Sequence, residues 1–224
     1  MENRSTFGRF ITFEGGEGAG KSTQIKELAR RLLEQETMAQ TELVITREPG
    51  GSPIAEKIRE LLVAGKPGDL EQKAELMLVM AARIEHVQKL IYPVLRRGGW
   101  VLCDRFVDST LAYQGYGRGM HTDHLIMLNQ WALGGLRPDL TLLLDVEHNV
   151  GLARTHRLES DSQNAKVKDR FEMEDETFHM RVNEGFRQLA RSEPDRIHII
   201  DANQDSEIVS KAIWEVLSGV FPNF

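Results

Sequence analysis

The sequence predicts an α/β fold built around a parallel sheet, and two observations lead to this prediction. Five short apolar segments are separated by helical patterns, which is the order of a doubly wound fold. Each segment is almost continuously apolar, as strands are when a parallel sheet is covered on both faces. The segments comprise residues 10–13, 43–46, 100–103, 140–144 and 197–200. The length of 224 residues suits one large domain of this kind.

The composition is typical of a globular protein and argues against several functions. Hydrophobic residues make up 41% and charged residues 28% of the chain. The 34 acidic and 28 basic residues give a net charge of -6, which argues against a general nucleic-acid partner. The sequence has no apolar run of about 18 residues and no apolar signal-peptide core, so we expect neither a transmembrane helix nor secretion. We therefore expect a cytoplasmic protein whose single cysteine, Cys103, is a buried strand residue.

Apolar spacing and helix-breaking residues predict the helices between the strands. One helix is predicted from residue 21 to about residue 35, and the longest begins near Asp69, a candidate N-cap. Pro93 should kink or divide this pattern before two glycines end it. Residues 159–169 indicate an irregular loop. One apolar face of the longest helix is predicted to be core, with a dimer contact as the alternative, and it comprises Ala74, Met77, Leu78, Ala81 and Ile84.

A phosphate-binding pattern joins the first strand to the first helix. Gly15, Gly20, Lys21 and Ser22 fit G-x-x-x-x-G-K-[ST]. Glycines let backbone N–H groups face a polyphosphate, Lys21 reaches its outer phosphates, and Ser22 offers a hydroxyl to Mg²⁺. The alternative is a glycine-rich turn that only connects the two elements. The pattern predicts a nucleoside triphosphate with magnesium but not the reaction, although the missing N-K-x-D sequence counts against a Ras-like GTPase.

Two further blocks place polar residues at the ends of predicted strands, where ligands bind in such sheets. In TREPGGSP a turn explains the proline and glycines but not Arg47. In CDRFVDSTLAYQGYGRG, Asp104 follows a strand like the Mg²⁺-side acid of P-loop enzymes, and Arg105 lies at the same edge. Groups that can bind a base or a sugar follow at helical spacing, although an exposed polar helix face is the alternative. They are Ser109, Thr110, Tyr113 and Gln114.

A basic cluster lies in and around the predicted irregular loop. Phosphoryl transfer spreads negative charge over the migrating group, and an arginine that closes on it can raise the rate about 10³–10⁵-fold. A solvated charged loop is the alternative. The cluster comprises Arg154, Arg157, Lys166, Lys168 and Arg170.

Four motifs in order resemble bacterial thymidylate kinase over nearly the whole chain: FEGGEGAGKST, TREPGGSP, DRFVDSTLAYQGYGRG and KDRFE. The first is generic, whereas the second and third are specific. The resemblance implies one P-loop kinase domain over residues 1–224, with a five-stranded parallel sheet flanked by helices and a mobile lid at about residues 154–170. It implies a homodimer that transfers a phosphoryl group from ATP-Mg²⁺ to dTMP, in line and without a covalent intermediate. Another nucleotide or deoxynucleoside kinase, or an ATP-driven switch, remains an alternative.

The resemblance also assigns donor-side and catalytic residues by position. Ser22 and Asp104 match the Mg²⁺ ligands. The expected catalytic cations are Lys21, Arg105, Arg157 and Arg170. The expected ATP-binding residues are Gly15, Gly16, Glu17, Gly18, Ala19, Gly20, Lys21, Ser22, Thr23 and Gln204.

On the acceptor side, the resemblance implies that Arg105 binds the phosphate of dTMP and that Arg83 binds its thymine ring. A carboxylate beside ATP would be repelled, so Glu17 is expected to face the acceptor and bind the deoxyribose 3′-hydroxyl; a solvent-facing glutamate is the alternative. The expected dTMP-binding residues are Glu17, Arg47, Pro49, Val79, Arg83, Arg105, Ser109, Thr110, Tyr113 and Gln114.

Three positions depart from the family pattern. Val79 stands where family members usually have an aromatic residue that stacks on thymine. We therefore expect weaker binding of the base, or packing of a methionine against it instead. Ala165 stands where family lids often have an arginine, and Arg157 is expected to replace it. Gly18 stands where some members have an arginine, so the lid is expected to supply that charge.

Overall fold

The computed structural model describes residues 7–161 and 169–222, without the side chains of residues 148 and 156–161. Its centre is one five-stranded sheet in the order β2-β3-β1-β4-β5, and every strand pair is parallel. The predicted parallel α/β fold is therefore confirmed. The strands are β1 (Arg9–Glu14), β2 (Leu43–Arg47), β3 (Trp100–Asp104), β4 (Leu140–Asp145) and β5 (Ile197–Asp201).

Each strand includes the predicted apolar segment and ends on a charged residue. Because all strands run the same way, these residues lie along one edge of the sheet, with β1 in the middle. Loops that leave this edge are therefore close to one another and to the end of β1. The charged residues are Glu14, Arg47, Asp104, Asp145 and Asp201.

Helices cover both faces of the sheet. A 3₁₀ turn spans Glu36–Met38, and π-helical turns span Val87–Ile91 and Leu111–Gly117. The α-helices are α1 (Lys21–Leu33), α2 (Pro53–Val63), α3 (Gln72–His86), α4 (Tyr92–Arg96), α5 (Val107–Thr110), α6 (Thr122–Leu133), α7 (His148–Asp161), α8 (Glu176–Ser192) and α9 (Ser206–Val220).

The core divides into layers because alternate strand residues point to opposite faces. On one face, Ile11 and Phe13 pack with apolar residues of α1 and α9. On the other face, Phe10 packs with the segment from Val87 to Leu95, and Leu143 packs with α3, α6 and α8. Cys103 is fully buried in this second layer, as predicted. Among the described residues, no helix has the length and apolarity needed to cross a bilayer.

Two predictions about the longest helix are wrong. Asp69 does not cap α3: its carboxylate accepts a hydrogen bond from the backbone N–H of Lys66 (2.8 Å), and α3 begins three residues later, at Gln72. The apolar stripe predicted to be core is instead the less buried face of α3. Met77 is 50% exposed, whereas Glu75 and Arg83 are 1% and 2% exposed. The buried face of this helix is therefore mixed, with Glu75, Arg83 and His86 beside Leu76, Met80 and Ala82.

The end of the same helical run follows the prediction more closely. The helix continues beyond α3 through the π-helical turn Val87–Ile91 and then α4, so its geometry changes directly before Pro93. Farther along the chain, α7 extends to Asp161, so the first three residues of the predicted irregular loop are helical. The remainder of that loop lies largely outside the described residues, and so do Ala165, Lys166 and Lys168.

A buried ion pair connects α5 to the start of β5. Both nitrogens of the Arg196 guanidinium donate to the Asp108 carboxylate, at 2.7 and 2.8 Å. The Asp108 side chain is 2% exposed and the Arg196 side chain 11% exposed. Arg196 also donates to Thr141 Oγ1 of β4 at 2.7 Å. The pair therefore holds α5 against the sheet.

We expect Asp108→Ala to lower the free energy of unfolding by about 3 kcal/mol, because the largely buried guanidinium of Arg196 loses both bonds to Asp108 and keeps only the partly exposed carboxylate of Glu193, bound through Nε. Urea unfolding monitored by circular dichroism measures the change. The matched control is Glu27→Ala, which removes a carboxylate from the exposed pair with Arg30 and should leave stability nearly unchanged. Equal effects of the two substitutions would contradict the structural role of Asp108.

Candidate active site

The phosphate loop lies between β1 and α1, at the centre of the charged edge of the sheet. Gly15 and Gly20 have positive φ angles of 134° and 87°, which glycine adopts without strain. A Cβ on Gly15 would lie 2.3 Å from the carbonyl oxygen of Leu144, so β4 leaves no room for a side chain. Lys21 is 8% exposed, and its Nζ donates to the carbonyl oxygens of Gly15 and Gly16 at 3.0 and 2.9 Å. The lysine charge is thus held within the loop.

Two oxygen ligands suited to Mg²⁺ lie beside this loop. Ser22 Oγ donates to Asp104 Oδ2 at 3.2 Å, which brings the first residues of α1 to the end of β3. The other oxygen of Asp104, Oδ1, is buried and has no hydrogen-bond partner. Mg²⁺ prefers hard oxygen ligands and commonly uses one or two protein oxygens together with phosphates and water. A hydroxyl beside an unsatisfied carboxylate fits that preference.

Arg105 connects the phosphate loop to the acceptor side of the cleft. Its Nη2 donates to Glu17 Oε1 at 2.7 Å and its Nη1 donates to the carbonyl oxygen of Gly15 at 3.1 Å. The guanidinium carbon lies 5.1 Å from the centre of the Tyr113 ring. Arg105 has a φ of 70°, an uncommon angle for a large side chain and a form of strain often found at functional sites. This backbone conformation aims the guanidinium at the loop.

The Glu17 carboxylate is charged and bonded on the acceptor side of the loop. Tyr113 Oη donates to the same Oε1 atom at 3.4 Å. Burial would raise the pKa of Glu17, but the charges of Arg105 and Lys21 outweigh burial and lower it to about 2. Burial also raises the pKa of the Tyr113 hydroxyl, which therefore keeps its proton and can donate. The predicted contact of Glu17 with the acceptor stays a prediction.

The carboxyl group of Glu14, at the end of β1, binds the first residues of α5. Its Oε1 accepts from the backbone N–H groups of Phe106 and Ser109, and its Oε2 accepts from Ser109 Oγ at 2.6 Å. These bonds fix the start of α5. Burial, and then the negative charge of Asp108, raise the pKa of Glu14 to about 7. Near neutral pH this buried carboxyl group therefore exists in both protonation states.

Most of the predicted site residues meet in one cavity of about 520 Å³ at the charged edge of the sheet. The cavity runs from the phosphate loop to the polar residues of α5 and the following π-helical turn. Gly15 and Gly16 form the start of the loop but do not line it. The predicted residues that line it are Glu17, Gly18, Ala19, Gly20, Lys21, Ser22, Thr23, Arg47, Pro49, Val79, Arg83, Asp104, Arg105, Ser109, Thr110, Tyr113 and Gln114.

Arg83 lies at the base of the acceptor pocket with most of its donors already used. Nε donates to Glu48 at 2.6 Å, Nη1 donates to Thr110 and Asn129, and Nη2 donates to the carbonyl oxygen of Phe106. The side chain is 2% exposed, so this network fixes its position. Phe106 itself is completely buried below Arg83, so it is not an aromatic surface of the cavity.

Three predicted residues lie elsewhere or outside the described side chains. Arg170 is 1% exposed; its Nη1 donates to Glu75 at 2.6 Å and its Nε and Nη2 donate to the carbonyl oxygen of Leu62. Gln204 lies in the loop after β5, where it donates to Asp201 Oδ2. The Arg157 side chain is outside the described part of the chain, so its catalytic role stays a prediction.

The sequence analysis missed two cavity residues with chemistry suited to an acceptor. Arg59 of α2 lines the cavity, and its Nη1 donates to the carbonyl oxygen of Pro49 at 3.0 Å. Phe171 lines the cavity as well, and its ring packs edge-to-face on Tyr113 with centroids 5.9 Å apart. Arg59 lies on the amphipathic helix α2 and belongs to none of the motifs, so the sequence did not indicate a role in the site. Phe171 lies in the KDRFE motif. Because residue 79 is an aliphatic valine, Phe171 could have been considered as the aromatic residue that packs on the base.

Close backbone packing explains why Gly18 cannot be an arginine in this structure. Its φ is 69°, and an added Cβ would lie 2.0 Å from the carbonyl oxygen of Gly151 in α7. Gly151 in turn would place a Cβ 2.5 Å from the carbonyl oxygen of Glu17. The tip of the phosphate loop and α7 therefore touch through backbone atoms at two glycines.

The fold and the cavity together define a class of protein. A phosphate loop alone also serves switches and motors. Here, however, the cavity continues from the loop into a pocket with arginine, hydroxyl and amide groups, the kind of lining that holds a small polar acceptor. This arrangement is typical of P-loop kinases that phosphorylate small molecules.

Comparisons with known proteins identify the family. A sequence model described as Thymidylate kinase matches residues 13–213. The thymidylate kinase of Magnetococcus marinus is 51% identical over 214 residues, covering 96% of this chain and 97% of that protein. The thymidylate kinase of Rhodopseudomonas palustris strain TIE-1 is 50% identical over 217 residues, covering 96% and 90%. The crystal structure of thymidylate kinase from Ehrlichia chaffeensis matches with a TM-score of 0.73 and 34% identity, covering 94% and 99%. The chain belongs to the thymidylate kinase family.

The raised pKa of Glu14 predicts a specific dependence of stability on pH. The folded protein holds a proton on Glu14 up to about pH 7, whereas the unfolded chain releases it near its ordinary value of 4.5. Stability should therefore fall as the pH rises through this window. Glu14→Gln keeps a side-chain oxygen that accepts from both N–H groups but cannot ionise. The free energy of unfolding of this variant, relative to that of wild type, should therefore increase from about pH 5 to about pH 8. Urea unfolding at both pH values measures this.

The control for this experiment is Glu36→Gln, at an exposed carboxylate of the 3₁₀ turn. It should follow the wild-type pH dependence. If Glu14→Gln also runs parallel to wild type, the buried carboxyl group does not take up a proton in this range.

Proposed function

We propose that this chain catalyses phosphoryl transfer from ATP-Mg²⁺ to dTMP and forms dTDP. The observation that carries the proposal is the single cavity in which the phosphate loop and the acceptor pocket meet through Arg105 and Glu17. The names of the relatives point to the same acceptor. A switch or motor needs no acceptor pocket of this kind, so the geometry favours a kinase.

On the donor side, the loop N–H groups and the N-terminus of α1 bind the phosphates of ATP, and Lys21 neutralises their outer charge. Ser22 and Asp104 hold Mg²⁺ in this proposal. Mg²⁺ bound there would supply positive charge that offsets the negative charge developing during transfer. Gln204 and its loop border the adenine. Arg154 supports that loop, because its guanidinium donates to the carbonyl oxygens of Ala202, Asn203 and Gln204.

On the acceptor side, Arg105, Arg47 and Arg59 supply positive charge for the dTMP phosphate. Arg47 is positioned by Glu56, whose two oxygens accept from its two terminal nitrogens at 2.7 and 2.9 Å. Glu17 accepts a hydrogen bond from the deoxyribose 3′-hydroxyl, and Tyr113 lies beside the sugar. Pro49 and Ser109 line the phosphate end of this pocket.

The thymine ring lies deeper in the pocket, beside Val79, Arg83, Thr110 and Gln114. Val79 offers less surface to the base than the aromatic residue usual in the family. The ring of Phe171 lines the same cavity and gives the acceptor an aromatic neighbour from another part of the chain. We therefore propose that packing against Phe171 partly compensates for the smaller side chain at residue 79.

The reaction proceeds by direct in-line attack of a dTMP phosphate oxygen on the γ-phosphorus of ATP. That oxygen is already ionised, so catalysis needs positioning and charge neutralisation rather than a strong base. Lys21, Arg105 and Arg157 supply cations in this proposal, with Arg157 acting from the lid segment, residues 154–170. Arg170 acts indirectly by anchoring the end of that segment to α2 and α3. The enzyme is proposed to work in the cytoplasm as one domain.

The test of the proposed function is the formation of dTDP from dTMP with ATP and Mg²⁺, measured by chromatography of the nucleotides. We expect dTDP and ADP in equal amounts. A panel with dCMP, dUMP and thymidine separates the alternatives that use another acceptor. Release of phosphate from ATP that is unaffected by dTMP, with no dTDP, would instead support an ATP-driven switch.

Glu17→Gln tests the acceptor role of the carboxylate in the phosphate loop. Loss of the charge weakens the bond to the sugar hydroxyl, so we expect the KM for dTMP to rise about tenfold while the KM for ATP stays within about twofold. A dTMP analogue without the 3′-hydroxyl supplies the control. Wild type should lose affinity for the analogue relative to dTMP, and Glu17→Gln should lose much less. Equal losses in both proteins would remove the proposed hydrogen bond.

We further propose a homodimer that uses the apolar faces of α2, α3 and α6. These helices pack against one another, and each leaves large apolar side chains exposed. Leu61 is 64%, Met77 50%, Met127 61% and Trp131 79% exposed. Exposed apolar groups gathered on neighbouring helices are a usual mark of an interface. The predicted core stripe of α3 would then be buried between two subunits.

Light scattering after size exclusion tests the dimer. Wild type should give twice the chain mass of 25.4 kDa, and Trp131→Glu should shift the mass toward the single chain because it places a charge in the contact. Ile208→Glu on α9 is the matched control, since Ile208 is 54% exposed but lies outside the proposed face. Its mass should remain that of the dimer. A dimeric Trp131→Glu protein would place the contact elsewhere.

A further inference from the structure

A buried carboxylate behind the acceptor pocket has no role in the reaction described so far. Glu75 lies on α3 and is 1% exposed. Its Oε1 accepts from Gln114 Nε2 at 2.7 Å and from Arg118 Nε at 3.3 Å. Its Oε2 accepts from Arg118 Nη2 at 3.0 Å and from Arg170 Nη1 at 2.6 Å. One carboxylate therefore joins α3, the π-helical turn Leu111–Gly117 and the end of the lid segment.

The surroundings of Glu75 keep it ionised. Burial alone would raise its pKa, but hydrogen bonds from Arg118, Gln114 and Arg170 outweigh burial and hold the pKa below its usual value. An ionised carboxylate only accepts hydrogen bonds. The side-chain amide of Gln114 can therefore face Glu75 only through its NH₂ group, which leaves its carbonyl oxygen as the group for a ligand.

The orientation of this amide decides which pyrimidine fits. Gln114 lines the acceptor cavity together with Thr110 and Arg83. Thymine has an N–H donor at ring position 3, whereas cytosine has an acceptor there. A carbonyl oxygen matches the thymine donor and faces the cytosine lone pair with an unsatisfied acceptor, which costs binding energy.

We propose that Glu75 is a positioning residue for base selection: it fixes the Gln114 amide so that its carbonyl oxygen accepts the N3–H of thymine and rejects cytosine. Glu75 touches no substrate and acts through Gln114. Arg118 and Arg170 hold the Glu75 carboxylate in place from the opposite side. The inference rests on the proposed phosphorylation of dTMP.

The variant Glu75→Gln tests the proposal sharply because the two arginines dictate how the new amide lies. The oxygen of the new side chain favours the Oε2 place, where it accepts the two shorter bonds, from Arg118 Nη2 and Arg170 Nη1, and only the longer bond of 3.3 Å from Arg118 Nε is lost at the Oε1 place. Its NH₂ group then faces Gln114 and turns the Gln114 amide over. The cavity would now receive an NH₂ donor, which suits cytosine better than thymine.

The experiment measures steady-state kinetics with dTMP and with dCMP at saturating ATP-Mg²⁺. For Glu75→Gln we expect the ratio of kcat/KM values, dTMP over dCMP, to fall by about tenfold or more. The change should come from a higher KM for dTMP with kcat within about twofold, as when an interaction that binds substrate and transition state equally is removed. A selectivity ratio within about twofold of wild type would overturn the proposal.

Two further variants separate positioning from folding. Glu174→Gln is the matched control, because Glu174 also pairs with Arg118 but makes no contact with Gln114; its selectivity should equal that of wild type. Glu75→Asp keeps the charge for both arginines and shortens the reach to Gln114, so a folded protein with reduced selectivity is expected even if Glu75→Gln does not fold. Unchanged selectivity in folded Glu75→Asp would overturn the proposal.

Formation of dTDP by wild type tests the proposed function separately from the Glu75 variants. Failure of wild type to form dTDP would refute the proposed function itself. Formation of dTDP by wild type, together with unchanged selectivity in the Glu75 variants, would refute only the role of Glu75.

Discussion

The ion pair between Arg105 and Glu17 is the contact that makes one active site out of two binding surfaces. Glu17 comes from the loop after β1, and Arg105 comes from the end of β3, the strand paired with β1. The left-handed backbone at Arg105 turns its side chain back across the phosphate loop, where the guanidinium donates to Gly15 and Glu17. The carboxylate of Glu17 offsets this charge when no acceptor is bound. In the proposed mechanism, the relative placement of the two substrates therefore depends on one residue with a strained backbone, directly after the end of β3.

A set of buried carboxylates supports the acceptor residues from behind. Glu14 holds Ser109, Asp108 holds α5 against β4 and β5, and Glu75 holds Gln114. Buried charge is costly unless every lone pair is used, so each of these groups tolerates little rearrangement of its partners. Packing among apolar side chains would allow small shifts of the same residues. The acceptor pocket is therefore rigid for an electrostatic reason, and rigidity of this kind favours selectivity among closely similar substrates.

The sequence predicted the sheet well because strands buried on both faces show short, nearly continuous apolar runs that end on a charged residue. It also predicted most of the cavity, since the motifs follow strand ends that a parallel sheet brings to one edge. It failed on α3 because apolar periodicity identifies a face but not what covers it. The chain buries Glu75 and Arg83 there and leaves Met77 exposed. Arg59 was missed because it lies on a helix without a motif. The hydrogen-bond partners of Arg170 depend on tertiary contacts with Leu62 and Glu75, which no local pattern reveals.

The contact between Gly18 and Gly151 has a consequence for how this family can vary. A side chain on Gly18 would collide with the carbonyl oxygen of Gly151, and a side chain on Gly151 would collide with that of Glu17, so a loop arginine at residue 18 requires α7 to move outward. An arginine at residue 18 and the close contact between the phosphate loop and α7 therefore exclude each other. The two glycines let the backbones of the loop and α7 touch, so any positive charge beyond Lys21 at the tip of the loop has to come from residues other than 18 and 151.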